Sequence, residues 1–436
     1  MRPAGKIKRI AFVSTRIAGT DGVSLEIGKW AEVLEGMGVE CCYVAGECDR
    51  PPDRSIIIEE AHFEHPLVQE ISRRAFESEV RTPRLSRDIL DLSVSLRTRL
   101  NRAFRKLKVD AIIVENALTI PMNVPLGVAL VQVIMEHGWP CLAHHHDFYW
   151  ERERFLVNAI DDIIHYAFPP ALPQIQHVVI NSLAGEEFSR RTGLSCRIMP
   201  NIMDYANPPP PPDDYARGFR EAIGLTPENN LILQPTRVVA RKGIEHSIEL
   251  IRRLGCERCK LVITHSSGDE GDAYPQRVRE FAGFMGVELV FVNGRIAEKR
   301  GMDAQGRPLF TMADAYSQAD LVSYPSEYEG FGNAFLEAIY YRKPVLCNRY
   351  AIYRTDIDPL GFKVILFDGF LTAETIAETR RVLSDSAYRA TMVENNYQVA
   401  SEFFGYQVVE QEIQSLMLRP QNIYRTLGRN AYRDSS

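Results

Sequence analysis

No stretch of this sequence holds the roughly 20 consecutive apolar residues that a membrane helix requires. The best run, residues 124–135, stops short, so an integral membrane protein is not expected and a cytoplasmic location is. The basic opening, residues 1–9, leads into a strand-like run and not into the apolar core and cleavage site of a secretion signal. Positive charge is not in excess either. Lys and Arg number 51 against 57 Asp and Glu, and the net charge of −6 offers no general attraction to nucleic acid. Eight cysteines scattered through 436 residues make no disulfide framework. Cys256-Glu-Arg-Cys259 is a lone C-x-x-C without a second pair, and it reads as a turn before it reads as zinc or redox chemistry. No G-x-G-x-x-G follows the first strand-like run; Gly36-Met-Gly38 precedes a strand, the wrong order for a dinucleotide fingerprint. A G-x-S-x-G elbow is also missing, which removes the serine hydrolases.

What is present is an alternation of short β-branched runs with helical patterns, the pattern of parallel sheets flanked by helices. The predicted strands are 9–14, 41–44, 111–114, 141–144 and 178–181, then 231–235, 261–264, 289–292, 321–324, 345–348 and 364–367. They form two α/β sets, as a chain of 436 residues suggests. Between the sets lies a five-proline run, 208–212, stiff and unable to donate backbone hydrogen bonds. The expected division is therefore a first Rossmann-like domain over 1–206, a linker over 207–228, a second Rossmann-like domain over 229–403, and a helix in 404–436 that packs on either domain. Ligands bind beyond the carboxyl ends of strands in open α/β sheets, so two such domains are expected to face each other across a cleft.

Three segments just after predicted strands carry candidate chemistry. Arg237, Arg241, Lys242 and Gly243 lead from a strand into a helix start, where cations and free amides suit a diphosphate; a solvated basic turn is the alternative. Glu329-Gly330-Phe331-Gly332-Asn333 precedes a helix that carries Glu337 one turn in. Glycines let backbone amides approach a ligand, and a carboxylate can accept from vicinal sugar hydroxyls. His144-His145-His146-Asp147 closes a strand of the first set. Neighbouring side chains point to opposite faces of a strand, so three consecutive histidines cannot all reach one ion, and no metal is expected. The division foreseen is one histidine in the core, one at the cleft and one shielded or exposed. The following residues 148–154 either define an acceptor, which could be anionic, through Trp150 and Arg152, or form core plus a polar helix face. The basic run 97–108 reads as a solvated helix.

The run from Glu329 to Glu337, with seven residues between the carboxylates, resembles the E-x7-E motif of the family 4 retaining glycosyltransferases, which have the GT-B fold. Arg237 to Lys242-Gly243 is similar to that family's G-R-x-x-x-x-K-G, with Gln234-Pro-Thr where a glycine often stands. Asp21-Gly22-Val23 matches its G-G-[IV] turn, His146-Asp147 its His-Asp site, and Met199-Pro-Asn201-Ile-Met-Asp204 its P-N-G-V-D boundary. After Lys343-Pro-Val-Leu the family commonly has G-G-x-x-E, and this chain has no glycine pair there.

The resemblance implies a transferase that moves a sugar from a nucleoside-diphosphate sugar, of GDP-mannose or UDP-glucose type, to a hydroxyl of a small acceptor such as a sugar, a sugar phosphate or a glycosylglycerate. Arg237 and Lys242 would neutralise the leaving diphosphate. Glu329 and the amides of Phe331 and Gly332, with Gly330 and Asn333 in the same bend, would hold the sugar. Glu337 would accept from the ribose, Gly22 would let the backbone approach the phosphates, and His146 with Asp147 would stand beside sugar and acceptor. No cofactor beyond the sugar nucleotide is implied, and a homodimer is compatible with the pattern. A GT-B phosphorylase, a nucleotide-sugar epimerase and a non-catalytic relative are the competing readings.

Overall fold

The structure, a computed structural model, describes residues 7–266 and 271–414. The chain forms two compact units. Among the described residues the first takes 7–180, 184–200 and 407–414, and the second takes 181–183, 201–266 and 271–406.

The sheet of the first unit has seven parallel strands: β1 (Arg9–Val13), β2 (Glu40–Ala45), β3 (Ser55–Ile57), β4 (Ala111–Glu115), β5 (Cys141–His145), β6 (Ile175–Val179) and β7 (Cys196–Ile198). Their order is β3-β2-β1-β4-β5-β6-β7, a doubly wound sheet whose order reverses between β1 and β4. Every residue of β4 and β5 is buried, because helices cover both faces of a parallel sheet and no alternating polar face is needed. Helix α1 (Gly22–Gly36) follows β1, α2 (Pro83–Leu107) precedes β4, and α3 (Val124–His137) follows it. The run 97–108 belongs to α2: Leu100, Ala103, Phe104 and Leu107 are buried while Arg102, Arg105 and Lys106 are exposed, the one-sided stripe of a surface helix.

The second unit repeats the plan with six parallel strands: β8 (Asn230–Gln234), β9 (Cys259–Ile263), β10 (Leu289–Phe291), β11 (Leu321–Tyr324), β12 (Val345–Asn348) and β13 (Ile365–Phe367). The order β10-β9-β8-β11-β12-β13 reverses between β8 and β11. Helices α4 (Ile244–Leu254) and α5 (Asn333–Tyr340) start just beyond β8 and β11. Ile232, Leu261, Leu346 and Val382 belong to one apolar cluster that holds α4 to the sheet.

All eleven predicted strands are present within a few residues. Of the strands in the two large sheets, the two that the sequence does not reveal, β3 and β7, are three-residue edge strands too short for a period to register. The proline run does not mark the crossing between units, which lies before Asn201. Asn201 donates to Asn333 Oδ1 at 2.6 Å and the Tyr205 hydroxyl to Leu336 O at 3.0 Å, which ties this stretch to α5. Nor is 207–228 a free linker: the Tyr215 hydroxyl donates to Leu309 O at 2.8 Å, and Phe219 is fully buried against Phe310. The C-terminal helix is seen as α6 (Tyr406–Ile413); its expected extent beyond 414 lies outside the described residues.

Candidate active site

In the second unit the candidate residues gather beyond β8 and β11, where the strand order reverses and open α/β sheets bind ligands. The chain leaves β8 through Thr236 and Arg237, makes a tight turn over Ala240–Lys242, and enters α4 after Gly243. Gly243 has φ +58°, and a Cβ there would lie 2.5 Å from Pro325 O, so only glycine lets the turn sit against the loop after β11. That close approach lets Lys242 Nζ form an ion pair with Glu329 Oε1, with Arg241 Nη1 3.4 Å from Oε2. Both partners of the Lys242–Glu329 pair are largely buried, at 11% and 9% side-chain exposure.

Burial lowers the Lys242 pKa, as do Arg241 and Arg237, against the attraction of Glu329. Burial raises that of Glu329, and Lys242 outweighs it, so the carboxyl ends below its ordinary value. Lys242 also lies over the Tyr324 ring, 5.8 Å from its centroid. Burial, and then the charges of Arg237 and Lys242, depress His265, so both cations act at this end of the sheet. It can hold anionic phosphate oxygens and, through Glu329, hydroxyl donors.

The bend over Gly330-Phe331-Gly332 is fixed from outside. Asn181 donates to Gly330 O at 2.7 Å, the Tyr350 hydroxyl donates to Phe331 O at 2.8 Å, and the Phe331 ring packs edge-on against Phe404. Both carbonyls are therefore occupied, and among the described residues no acceptor takes the amides of Phe331 and Gly332. Tyr350 lies in the segment where the family's glycine pair is missing, and its hydroxyl supports the bend. Asn333 begins α5. Glu337, one turn in, is half-buried, and its charge adds to burial in pushing the Tyr316 hydroxyl well above its ordinary value.

In the first unit the candidates also lie at the switch point. Glu115 ends β4, His144 and His145 end β5, and His146 follows it. His145 is in the core, where its Nε2 lies 2.9 Å from Nδ1 of His177. His144 and His146 point to the opposite face, and both engage Glu115 Oε2 at 3.0 Å. These three side chains form a group that could enclose an ion, their ligand atoms lying within 4.8 Å of one another. Within that group His144 Nδ1 and His146 Nε2 are already hydrogen-bonded to Glu115. Burial pushes the Glu115 carboxyl up, but the two imidazoles outweigh it and bring it down to about 2. Burial lowers the His146 pKa and Glu115 overcomes this, leaving it raised.

The buried pair on the other face has an acid-lability consequence. Burial takes His177 from 6.5 down to about 4, against its bond to Pro170 O, and drives His145 well below 6.5. The unfolded chain thus binds more protons than the native one as pH falls below about 6.5. Stability from these groups is complete above that pH and lost on the way to about 4, by on the order of 2–3 kcal/mol. Urea midpoints from pH 7.5 to 4.5 should fall accordingly, and a flat profile would contradict the neutral pair.

Asp147 and Arg152 form an ion pair and line a pocket of about 230 Å³ with Ser14, Arg16, Asp21 and Asn116. Arg16 Nη2 lies 3.3 Å from Asp21 Oδ2, so two arginine–aspartate pairs border the pocket. Gly22 opens α1 there, but the Asp21 carboxylate already takes the amides of Val23 and Ser24 that a phosphate would use. Residues 148–154 divide between core and pocket lining. Phe148 is core, stacked on Trp150 at 4.4 Å, while Arg152 faces the pocket. Glu115, Asn116, Arg16 and Tyr350 were not singled out from the sequence. An acidic residue closing an apolar strand was the one available signal, for Glu115.

Residues 304–399 match the family model described as glycosyl transferases group 1. Over 437 residues the chain is 30% identical to a mannosylglucosylglycerate synthase of Thermotoga maritima, covering 92% of this chain and 98% of the relative. It is 31% identical over 388 residues to one of Petrotoga mobilis, covering 82% and 86%. The sucrose-phosphate synthase of Thermosynechococcus elongatus has the same fold, with TM-score 0.63 at 17% identity over 97% of this chain and 100% of that one. The chain belongs to the group 1 glycosyltransferases and has their GT-B fold. It is a sugar-transferring enzyme, and none of the described helices is long and apolar enough to cross a membrane.

Proposed function

We propose that the enzyme transfers a hexosyl unit, mannosyl foremost, from a nucleoside-diphosphate sugar to a hydroxyl of a small carboxylate-bearing acceptor of glycosylglycerate type, with the anomeric configuration kept. The observation that carries this is the buried Lys242–Glu329 pair beside Arg237 and Arg241. The names of the two full-length relatives supply the sugar and the acid-bearing product.

In this reading the diphosphate takes Lys242 and Arg237, and Glu329, released from Lys242, accepts sugar hydroxyls. The amides of Phe331 and Gly332 complete the sugar contacts, and Glu337 takes the ribose. Charge on the leaving diphosphate grows in the transition state, so cations already fixed by the fold lower the barrier without reorganising. Attack then occurs on the face from which the diphosphate departs, assisted by its own oxygen. His146 and Asp147 stand beside the reacting sugar and the acceptor hydroxyl. Neither a metal nor an organic cofactor takes part. The acceptor carboxylate exchanges with Asp147 or Asp21 on Arg152 or Arg16, because an arginine fork matches a carboxylate in two bonds.

A panel of GDP- and UDP-sugars tests the donor: binding at 100 times Kd should stabilise the fold by about 2.7 kcal/mol. Transfer of mannose to glucosylglycerate is the expected reaction; formation of a sugar 1-phosphate from inorganic phosphate, or of an epimer, would overturn it. Arg152→Ala should raise the acceptor KM by about 10-fold or more, the worth of a charge-assisted hydrogen bond, with donor affinity unchanged. Equal losses for donor and acceptor would contradict the acceptor role.

A further inference from the structure

The side chain that orients His146 stands outside every motif considered so far. Glu115 is buried, with 1% side-chain exposure, and its Oε2 receives both His144 Nδ1 and His146 Nε2 at 3.0 Å. An ionised carboxylate only accepts, so each imidazole must present an N–H to it. In its neutral form His146 therefore carries its hydrogen on Nε2, and its Nδ1 keeps a lone pair that Glu115 does not engage. His144 takes the opposite tautomer, with its hydrogen on Nδ1 and a buried Nε2 that has no partner among the described residues. Trp30 stacks on His144 with centroids 4.4 Å apart at 26°, and His144 in turn packs against His146 at 4.4 Å. The residue after Glu115 completes the hold. Asn116, at φ +57°, accepts from the His146 amide through Oδ1 at 2.8 Å, while its own amide donates to His144 O at 3.0 Å. Two consecutive residues thus fix both the ring and the main chain of His146.

We propose that Glu115 is a positioning residue: it locks His146 in the Nε2–H tautomer and so presents Nδ1 as an acceptor for a hydroxyl of the reacting sugar or its acceptor. This rests on the reading of His146 given above as a group beside the reacting sugar. The carboxylate does not touch substrate. Its effect passes through the imidazole, as it does where a carboxylate orients a functional histidine elsewhere in enzymes.

Two measurements test it. Long-range proton–nitrogen spectra of the full-length protein labelled at histidine should show Nε2–H for His146 in the unmodified enzyme. Glu115→Gln, nearly equal in size, should lose that fixed tautomer. An Nδ1–H form in the unmodified enzyme would overturn the proposal even if the variant failed to fold. In transfer assays Glu115→Gln should lower kcat by about 10- to 100-fold with little change in donor KM. Combined with His146→Ala it should add almost nothing, because both changes remove one device. Multiplying losses would overturn the role of Glu115 while leaving that of His146 intact. Full kcat in His146→Ala would overturn the role of His146 itself, and the proposal with it. A transition metal bound at one per chain, removed by chelator together with activity, would also overturn it, since a metal would take the lone pairs that the tautomer argument assigns.

Discussion

Lys242→Ala is expected to lower kcat/KM by about 100- to 1,000-fold, the usual cost of removing one fixed stabiliser of transition-state charge. It should also destabilise the fold. Glu329 would remain buried with its nearest cation removed, and stranding one partner of a buried ion pair costs about 3–5 kcal/mol. Arg241, 3.4 Å from the other carboxylate oxygen and more exposed, would recover a part of that. The two effects can be separated. The double variant Lys242→Ala with Glu329→Ala removes both charges and should regain most of the stability, since a buried pair is worth little beyond the cost of stranding either half. Activity should not return. Denaturant unfolding beside transfer kinetics reads both quantities. A double variant as unstable as the sum of the singles would argue that the pair is not the coupled unit described here.

The second large effect is expected at Gly332. Its φ of +127° lies where side chains other than hydrogen are strained, and a Cβ would come 2.6 Å from the Tyr350 hydroxyl. Gly332→Ala must therefore push apart the bend and the hydroxyl that holds Phe331 O. Backbone strain of this kind costs about 1–3 kcal/mol. A donor displaced by about 1 Å loses on the order of 100-fold in rate. Tyr350→Phe supplies the control. On its own it should be mild, losing one hydrogen bond worth about 1 kcal/mol. With Gly332→Ala it should recover part of the loss, because the clashing oxygen is gone while the dihedral strain stays. No recovery would place the whole defect in the backbone; no defect in Gly332→Ala would show that the bend does not grip the sugar.

These expectations also mark what could be read without coordinates. Strand-to-turn junctions such as 231–243 and 321–333 are legible because a buried parallel strand is a continuous apolar run, and the chemistry follows it directly in the chain. Lys242 and Glu329, 87 residues apart, could be joined in advance because each belongs to a recognisable motif. Tyr350 and Glu115 belong to none. The Tyr350 bond to Phe331 O spans 19 residues and the Glu115 bonds to the histidines span 29 and 31, and single side chains meeting across a sheet leave no local period. The proline run misled for a related reason. Five prolines suggest a linker, but where the segment after them docks depends on Tyr215 and Phe219 meeting Leu309 and Phe310 far along the chain.

The Asp21 cap illustrates a different limit. The turn Asp21-Gly22-Val23 was read for the freedom of its glycine, as a place where phosphates approach. In the folded unit the aspartate caps the helix by accepting from the amides of Val23 and Ser24, and it lies 3.3 Å from Arg16. Which of two functions a polar residue performs, cap or ligand contact, is settled by its partners and not by its position in a motif.

The central claim is that Lys242, Arg237 and Glu329 hold a diphosphate-linked sugar at the switch point of the second sheet. A crystal structure of the enzyme with an inert analogue of GDP-mannose tests it most directly. The account predicts phosphate oxygens within hydrogen-bond distance of Lys242 Nζ and the Arg237 guanidinium, with a sugar hydroxyl donating to Glu329 in place of the Lys242 contact. A diphosphate bound elsewhere, with the Lys242–Glu329 pair undisturbed, would contradict it.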